Sequence, residues 1–236
     1  MKKLAKLFAA TLASVTISLG SLSAVEINKI HFLIPGGAGG GWDGTARGTG
    51  EALKKAGLIN TATFENMSGG GGGKAIGYLI ENSKSNHGTL MVNSTPIVIR
   101  SLTKVFPQNF RDLTLIAGTI GDYAALVVPA GSSYRNFKDL VSAYKKNPES
   151  VAIAGGSAPG SMDHLVPAMA FKAAGADPTA VKYLPFDAGG KAMAALLSGE
   201  ADALSTGFSE AVAMEKAGKV RMIAVTSPER VDAAPN

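Results

Sequence analysis

Apolar runs too short to cross a membrane recur along the whole chain. Each is followed by a turn rich in glycine, serine or asparagine, and then by a stretch with helical spacing. The runs predict strands over 27–35, 61–65, 89–92, 113–118, 124–128, 151–154, 181–184, 201–204 and 221–225. Helices are expected over about 45–55, 74–83, 97–105, 162–174, 191–197 and 209–217, with one more ending near 146. Repeated strand–loop–helix units imply an α/β protein whose mainly parallel sheets are covered by helices on both faces. The pattern restarts near Tyr134. Val127-Val128-Pro129-Ala130-Gly131 is therefore the expected crossing between two lobes, 25–126 and 127–224.

Four polar loops stand at strand ends, where open α/β sheets bind ligands. The first is Pro35-Gly36-Gly37-Ala38-Gly39-Gly40-Gly41-Trp42-Asp43. Its glycines let backbone approach a ligand, and the first turn of the helix beyond them points free amides at an anion. The second is Asn66-Met67-Ser68 with five glycines, beginning at Gly69 and Gly70. The third is Gly155-Gly156-Ser157-Ala158-Pro159-Gly160-Ser161, and the fourth is Asp187-Ala188-Gly189-Gly190. Two loops precede the crossing and two follow it, so one cleft between two lobes collects all four. Trp42, the only tryptophan, stands beside glycines and is expected to wall the pocket. Asp43 and Arg47 are spaced as an i,i+4 ion pair.

Three sharper chemistries fail on their details. Gly39-Gly40-Gly41-Trp42-Asp43-Gly44 has the spacing of a dinucleotide loop, and Glu65 ends the next strand. Asp43 would, however, set a negative charge where a pyrophosphate lies, and Pro35 interrupts the join. The second loop lacks the Ser or Thr that holds magnesium, since Ala75 follows Lys74. An exported serine hydrolase using Ser157 or Ser161 is the alternative from another class. Against it, Pro159 breaks the nucleophile elbow, and adjacent Asp163 and His164 point to different helix faces. His31, His87 and His164 are too widely spaced to suggest a metal site, and no cofactor is expected.

Charge and composition place the chain. Lys2, Lys3 and Lys6 precede an uncharged apolar stretch over 7–22, so residues 1–24 read as a secretory signal peptide. Without those three lysines the formal charge falls from +5 to +2, which gives no reason to invoke nucleic acid. There is no cysteine, so disulfides, thiolate metal sites and a lipid-anchored cysteine are excluded. A periplasmic location follows.

Taken together, Gly39-Gly40-Gly41-Trp42-Asp43, Ala46-Arg47, Glu65-Asn66 with the glycines at 69–73, Gly155-Gly156-Ser157 with Gly160-Ser161 and Asp163-His164-Leu165 form an ordered set. Phe186-Asp187-Ala188-Gly189-Gly190 and Ser198-Gly199-Glu200-Ala201-Asp202 continue it. This set resembles the substrate-binding proteins of tripartite tricarboxylate transporters over about residues 30–230, with the Gly-Gly-Gly-Trp-Asp form nearest the citrate-type branch. The resemblance implies a two-lobed venus-flytrap protein without catalysis. It would hold a small di- or tricarboxylate and deliver it to a small and a large membrane subunit. Carried onto this chain, the ligand residues would be Gly39, Gly40, Gly41, Trp42, Asp43, Ser68, Gly69, Gly70, Ser94 and Thr95. The second lobe would add Ser157, Gly160, Ser161, Asp187 and Gly189. Backbone amides rather than arginines would meet the ligand's charge. The resemblance also implies a longer chain that returns to the first lobe; residues 225–236 would begin that return, with the remainder absent.

Overall fold

The first sheet is built on β1 (Lys29–Ile34), whose last residues Phe32, Leu33 and Ile34 are fully buried. A strand covered on both faces reads as a continuous apolar run rather than an alternation. β2 (Thr61–Asn66) and β3 (Thr89–Met91) flank it in parallel, giving the order β2-β1-β3. α1 (Gly41–Lys55) covers one face, with Ala46 against Phe32 and Ile34. α2 (Gly73–Glu81) and α3 (Thr95–Leu102) cover the other through Ile76 and Ile97, which pack with Phe106 from the segment after α3. The computed structural model describes residues 27–233. The expected signal peptide at 1–24 lies outside the described residues.

The second sheet contains β4 (Ala124–Pro129), β5 (Ala152–Gly155), β6 (Lys182–Pro185), β7 (Ala203–Gly207) and β8 (Val220–Val225). Their order is β6-β5-β7-β4-β8. β5 pairs in parallel with β6 and β7, while β4 runs antiparallel to both β7 and β8. α4 (Phe137–Lys146) and α5 (Met162–Ala173) pack Leu140, Tyr144 and Phe171 on one face. α6 (Gly189–Ser198) and α7 (Phe208–Lys216) pack Met193, Leu196 and Phe208 on the other. The two-lobed α/β architecture is therefore as expected, with one strand reversed.

Two sequence expectations need correction. Residues 113–118, expected as a strand, form none. Leu115 and Ile116 are apolar enough for one but stand 82% and 74% exposed, and no neighbouring strand supplies a hydrogen-bond ladder. The crossing between the sheets also lies upstream of Val127. All of β4 belongs to the second sheet, so the connection runs through the irregular residues before 124. A third difference concerns α1, which begins at Gly41 rather than near Thr45. Its glycines are poor helix formers, but Asp43 in the first turn accepts the Gly39 amide at 3.0 Å and closes the turn.

The seat of α1 depends on a missing side chain. A Cβ on Gly50 would lie 2.8 Å from Phe64 and 2.9 Å from Ala62, whereas one on Gly48 would meet nothing within 4 Å. Gly50→Ala should cost about 1–3 kcal/mol through overpacking. Gly48→Ala should stabilise by about 0.5–1 kcal/mol through helix propensity. Urea unfolding of the two variants should move in opposite directions; a Gly50→Ala chain as stable as the Gly48→Ala chain contradicts this seating.

Candidate functional site

The loops after β1, β2 and β3 leave the carboxyl edge of the first sheet, and those after β5, β6 and β7 leave the carboxyl edge of the second. These two edges face each other across a cleft. Six helices begin there, with N-caps at Gly40, Gly72, Ser94, Ser161, Ala188 and Gly207. None of the six N-cap residues makes a side-chain capping bond. α4 follows the reversed strand, so it starts at the far edge, and Asn136 caps it by accepting the Asp139 amide. The missing caps thus gather on the cleft, where the partial positive charge of six helix ends converges.

The lobes touch through backbone. A Cβ on Gly37 would lie 3.1 Å from that of Ala188, one on Gly40 3.6 Å from the Gly189 nitrogen, and one on Gly190 3.2 Å from the Gly39 oxygen. A Cβ on Gly41 would lie 3.6 Å from the Glu210 carboxyl carbon. Gly69, Gly70, Gly71 and Gly72 all have positive φ, a succession that side chains disfavour. Over this turn lies Arg100 of α3, whose Nη1 donates across the cleft to the Pro159 carbonyl at 2.7 Å. A Cβ on Gly71 would come within 2.8 Å of Arg100 Nε.

Several expected ligand groups are already engaged. Asp43 is buried and accepts from Gly39 N, Arg47 Nε and Asn66 Nδ2. Burial alone would raise its pKa, but the bonds from Arg47, Gly39 and Asn66 outweigh it and hold the carboxylate below its usual range. Its carboxylate therefore serves the loop, and the i,i+4 pairing with Arg47 is formed. Trp42 is half-buried between loops, its indole N–H donating to Ser94 Oγ at 2.8 Å. Thr95 is exposed beside it. Ser68 Oγ is buried without a hydrogen-bond partner, and exposed Gly69 and Gly70 start the glycine turn.

In the second lobe, Ser157 Oγ accepts the Asp163 amide at 3.2 Å, while the Tyr183 hydroxyl donates to the Ser157 carbonyl at 2.6 Å. Gly160 N donates to His164 Nδ1 at 3.0 Å, and the His164 ring stacks on Tyr183. Ser161 Oγ is buried and unpartnered. Neither serine is hydrogen-bonded to His164, so the nucleophile–base pair of a serine hydrolase is not assembled. Asp187 is exposed and pairs at 3.5 Å with Lys191, while Gly189 is buried against Glu210. Among the described residues no group of three or more His, Cys, Asp or Glu could hold a metal ion.

Arg100 and Glu210 are cleft residues that the loops did not reveal, because both sit on helices. Glu210 Oε2 accepts from Thr206 Oγ1 at 2.8 Å and from Gly207 N at 3.1 Å. The spacing of Gly207 and Glu210 is a helix-start signal, which gives its position but not its exposure to the other lobe. Asp163 lies nearby. Burial, and then the charge of Glu210, push its carboxyl up to about 7 against the bonds from Ser157 and Gly156. Burial also lowers the pKa of His164, favouring the neutral ring.

Residues 46–236 match the tripartite tricarboxylate transporter family receptor. The UPF0065 protein of the tcbD-tcbE intergenic region of Pseudomonas sp. strain P51 is 27% identical over 89% of this chain and 61% of its own length. The chain spans about three-fifths of the length of the first curated relatives it matches. Among solved structures, the periplasmic binding protein BugD superposes with a TM-score of 0.76 at 22% identity, over 88% of this chain and 68% of that one. MatC of Rhodopseudomonas palustris, with bound malate, gives 0.70 at 20% identity, over 86% and 68%. At these identities the likeness is one of fold.

The Asp163 carboxyl gives a pH signature. The folded state keeps its proton up to about 7, whereas the unfolded chain releases it near 3.8. Between those values the folded state binds more protons, so stability is greatest at the acid end and falls as pH rises, by up to about 1.4 kcal/mol per unit. Asp43, whose pKa is lowered, acts in the opposite sense and at more acid pH. The stability of wild type minus that of Asp163→Asn should therefore fall between pH 5 and pH 7. Chemical denaturation at several pH values checks this, and a pH-independent difference contradicts it.

Proposed function

Since this chain belongs to the family of tripartite tricarboxylate transporter receptors, we propose that it is an extracytoplasmic solute receptor that holds a small carboxylate between its lobes. The members of such a family bind solutes and are not enzymes. The observation that carries the reading is the set of six helix N-termini on the cleft, none capped by its N-cap side chain. An incoming carboxylate would meet amides of these helix starts beyond those that Ser157 and Glu210 already engage, and helix dipoles favour its charge. Di- and tricarboxylates of citrate size suit a site fed from both sides. The malate bound to MatC is of this kind.

Ligand entry would proceed by hinged closure, with affinity arising from contacts that only the closed form makes. Arg100 supports this, since its guanidinium already reaches from the first lobe to the loop that precedes α5. A ligand carboxylate would share that guanidinium, so an arginine joins the amides that the sequence suggested. Delivery to a small and a large membrane subunit completes the role, in the periplasm. The signal-like residues at 1–24 support that location, and no helix among the described residues is long and apolar enough to cross a membrane.

Thermal-shift titration against succinate, malate, citrate and NAD tests the reading. A carboxylate at a hundredfold over its Kd should add about 2.7 kcal/mol of apparent stability, and NAD should add none. Arg100→Ala should weaken the carboxylate tenfold or more, because hydrogen bonds to charged groups contribute about 1.5–3 kcal/mol. Arg47→Ala should instead lower stability, through Asp43, with Kd little changed. A cooperative melt that no carboxylate shifts would sink the proposal.

A further inference from the structure

Six buried side-chain polar atoms have no hydrogen-bond partner among the described residues, and four of them belong to residues of the cleft. Ser68 Oγ and Arg100 Nε come from the first lobe, and Ser161 Oγ and Glu210 Oε1 from the second. A buried polar atom without a partner costs about 1–3 kcal/mol, so such atoms are normally rare. Their concentration here marks the surfaces a ligand would satisfy.

The four are not chemically alike. Arg100 can only donate, and it lies over the Gly69–Gly72 turn with its head at Pro159. Glu210, when ionised, can only accept. One of its oxygens is held by Thr206 and Gly207, which fixes the carboxyl and leaves the other oxygen buried beside Gly189. The same carboxyl stands against Gly41, the first residue of α1. The protein thus places its own carboxylate at one helix end of a carboxylate site. Asp163 adds a second acidic group close by, already bonded to Ser157 and Gly156. The cleft has a donating pole at Arg100 and an accepting pole at Glu210.

We propose that Glu210 sets specificity within this site: the ligand is a dicarboxylate bearing a hydrogen-bond donor, a hydroxyl or an ammonium, which Glu210 Oε1 receives. The inference rests on the receptor reading above. A plain dicarboxylate leaves Oε1 unsatisfied and brings like charge towards it. A hydroxyl at the adjacent carbon satisfies Oε1, and an ammonium there also offsets the like charge. Glu210 acts on ligand choice rather than on lobe assembly, since its structural bonds run through the other oxygen.

Succinate, malate and aspartate test this cleanly, because they share one carbon skeleton and differ only in carrying hydrogen, hydroxyl or ammonium at one carbon. Isothermal titration of the full chain, purified after export, should show malate or aspartate binding at least tenfold more tightly than succinate. Glu210→Gln can keep its carbonyl on Gly207 and turn its amide NH₂ to the Oε1 position, replacing an acceptor with a donor. The preference should then vanish or invert. Glu210→Asp keeps the charge but withdraws it by one methylene, and should narrow the preference; it provides the test if the glutamine variant melts abnormally. Asp163→Asn, which leaves the acceptor in place, should preserve the order of the three ligands. Succinate bound as tightly as the other two by wild type, or a preference unchanged in both Glu210 variants, overturns the role of Glu210 while the receptor reading stands. Binding of none of the three overturns the role of Glu210, and the receptor reading falls with it only where citrate also leaves the melt unshifted.

Discussion

Backbone meets backbone where the two lobes face each other, and that close approach constrains everything around it. Gly37, Gly40 and Gly190 leave 3.1–3.6 Å between an imagined Cβ and the opposing lobe. Larger residues at these positions would hold the lobes apart. Uncapped helix ends from both sheets would then face solvent separately instead of a shared space. Glycine at these points is thus a condition of the cleft, more than a source of flexibility, and it lets main-chain amides become the lining.

A lining of amides has an electrostatic consequence. Six convergent helix ends attract negative charge, and the protein supplies some of its own. Asp43 takes the Gly39 amide, Asp163 the Gly156 amide and Glu210 the Gly207 amide. Each internal carboxylate is anchored within its own lobe. They differ in what compensates them. Asp43 has Arg47 and is held ionised. Asp163 has no cation and faces Glu210, so its proton is retained to about 7. The first lobe therefore presents a balanced loop with Arg100 beside it, and the second presents an acidic one. This asymmetry gives the two sides of the cleft opposite charge character.

Much of this was legible in the chain itself. The order of strand, glycine loop and helix is written in local patterns, and local patterns determine local structure: an apolar run buried on both faces, a turn that side chains would not tolerate. Placing such loops at the carboxyl ends of parallel strands follows from topology rules that hold across α/β folds. The two-lobed architecture, the glycine loops facing a common cleft and the Asp43–Arg47 pairing were all accessible this way. So was the family, because four loops in order carry more information than any one of them.

Tertiary structure decided what local patterns cannot carry. The reversal of β4 depends on the chain entering the second sheet from the first lobe, and the absence of a strand over 113–118 depends on there being no neighbour to pair with. The loop position of Asp43 is readable in the chain, but the three donors that reach its carboxylate are not. Arg100 and Glu210 looked like ordinary helix residues, yet packing brings one over the Gly69–Gly72 turn and the other against Gly41. Backbone conformation is set by neighbours in sequence, so its signal survives in the sequence. The partner of a polar side chain is set by residues dozens of positions away, as with Arg100 and Pro159, and only the folded chain brings them together.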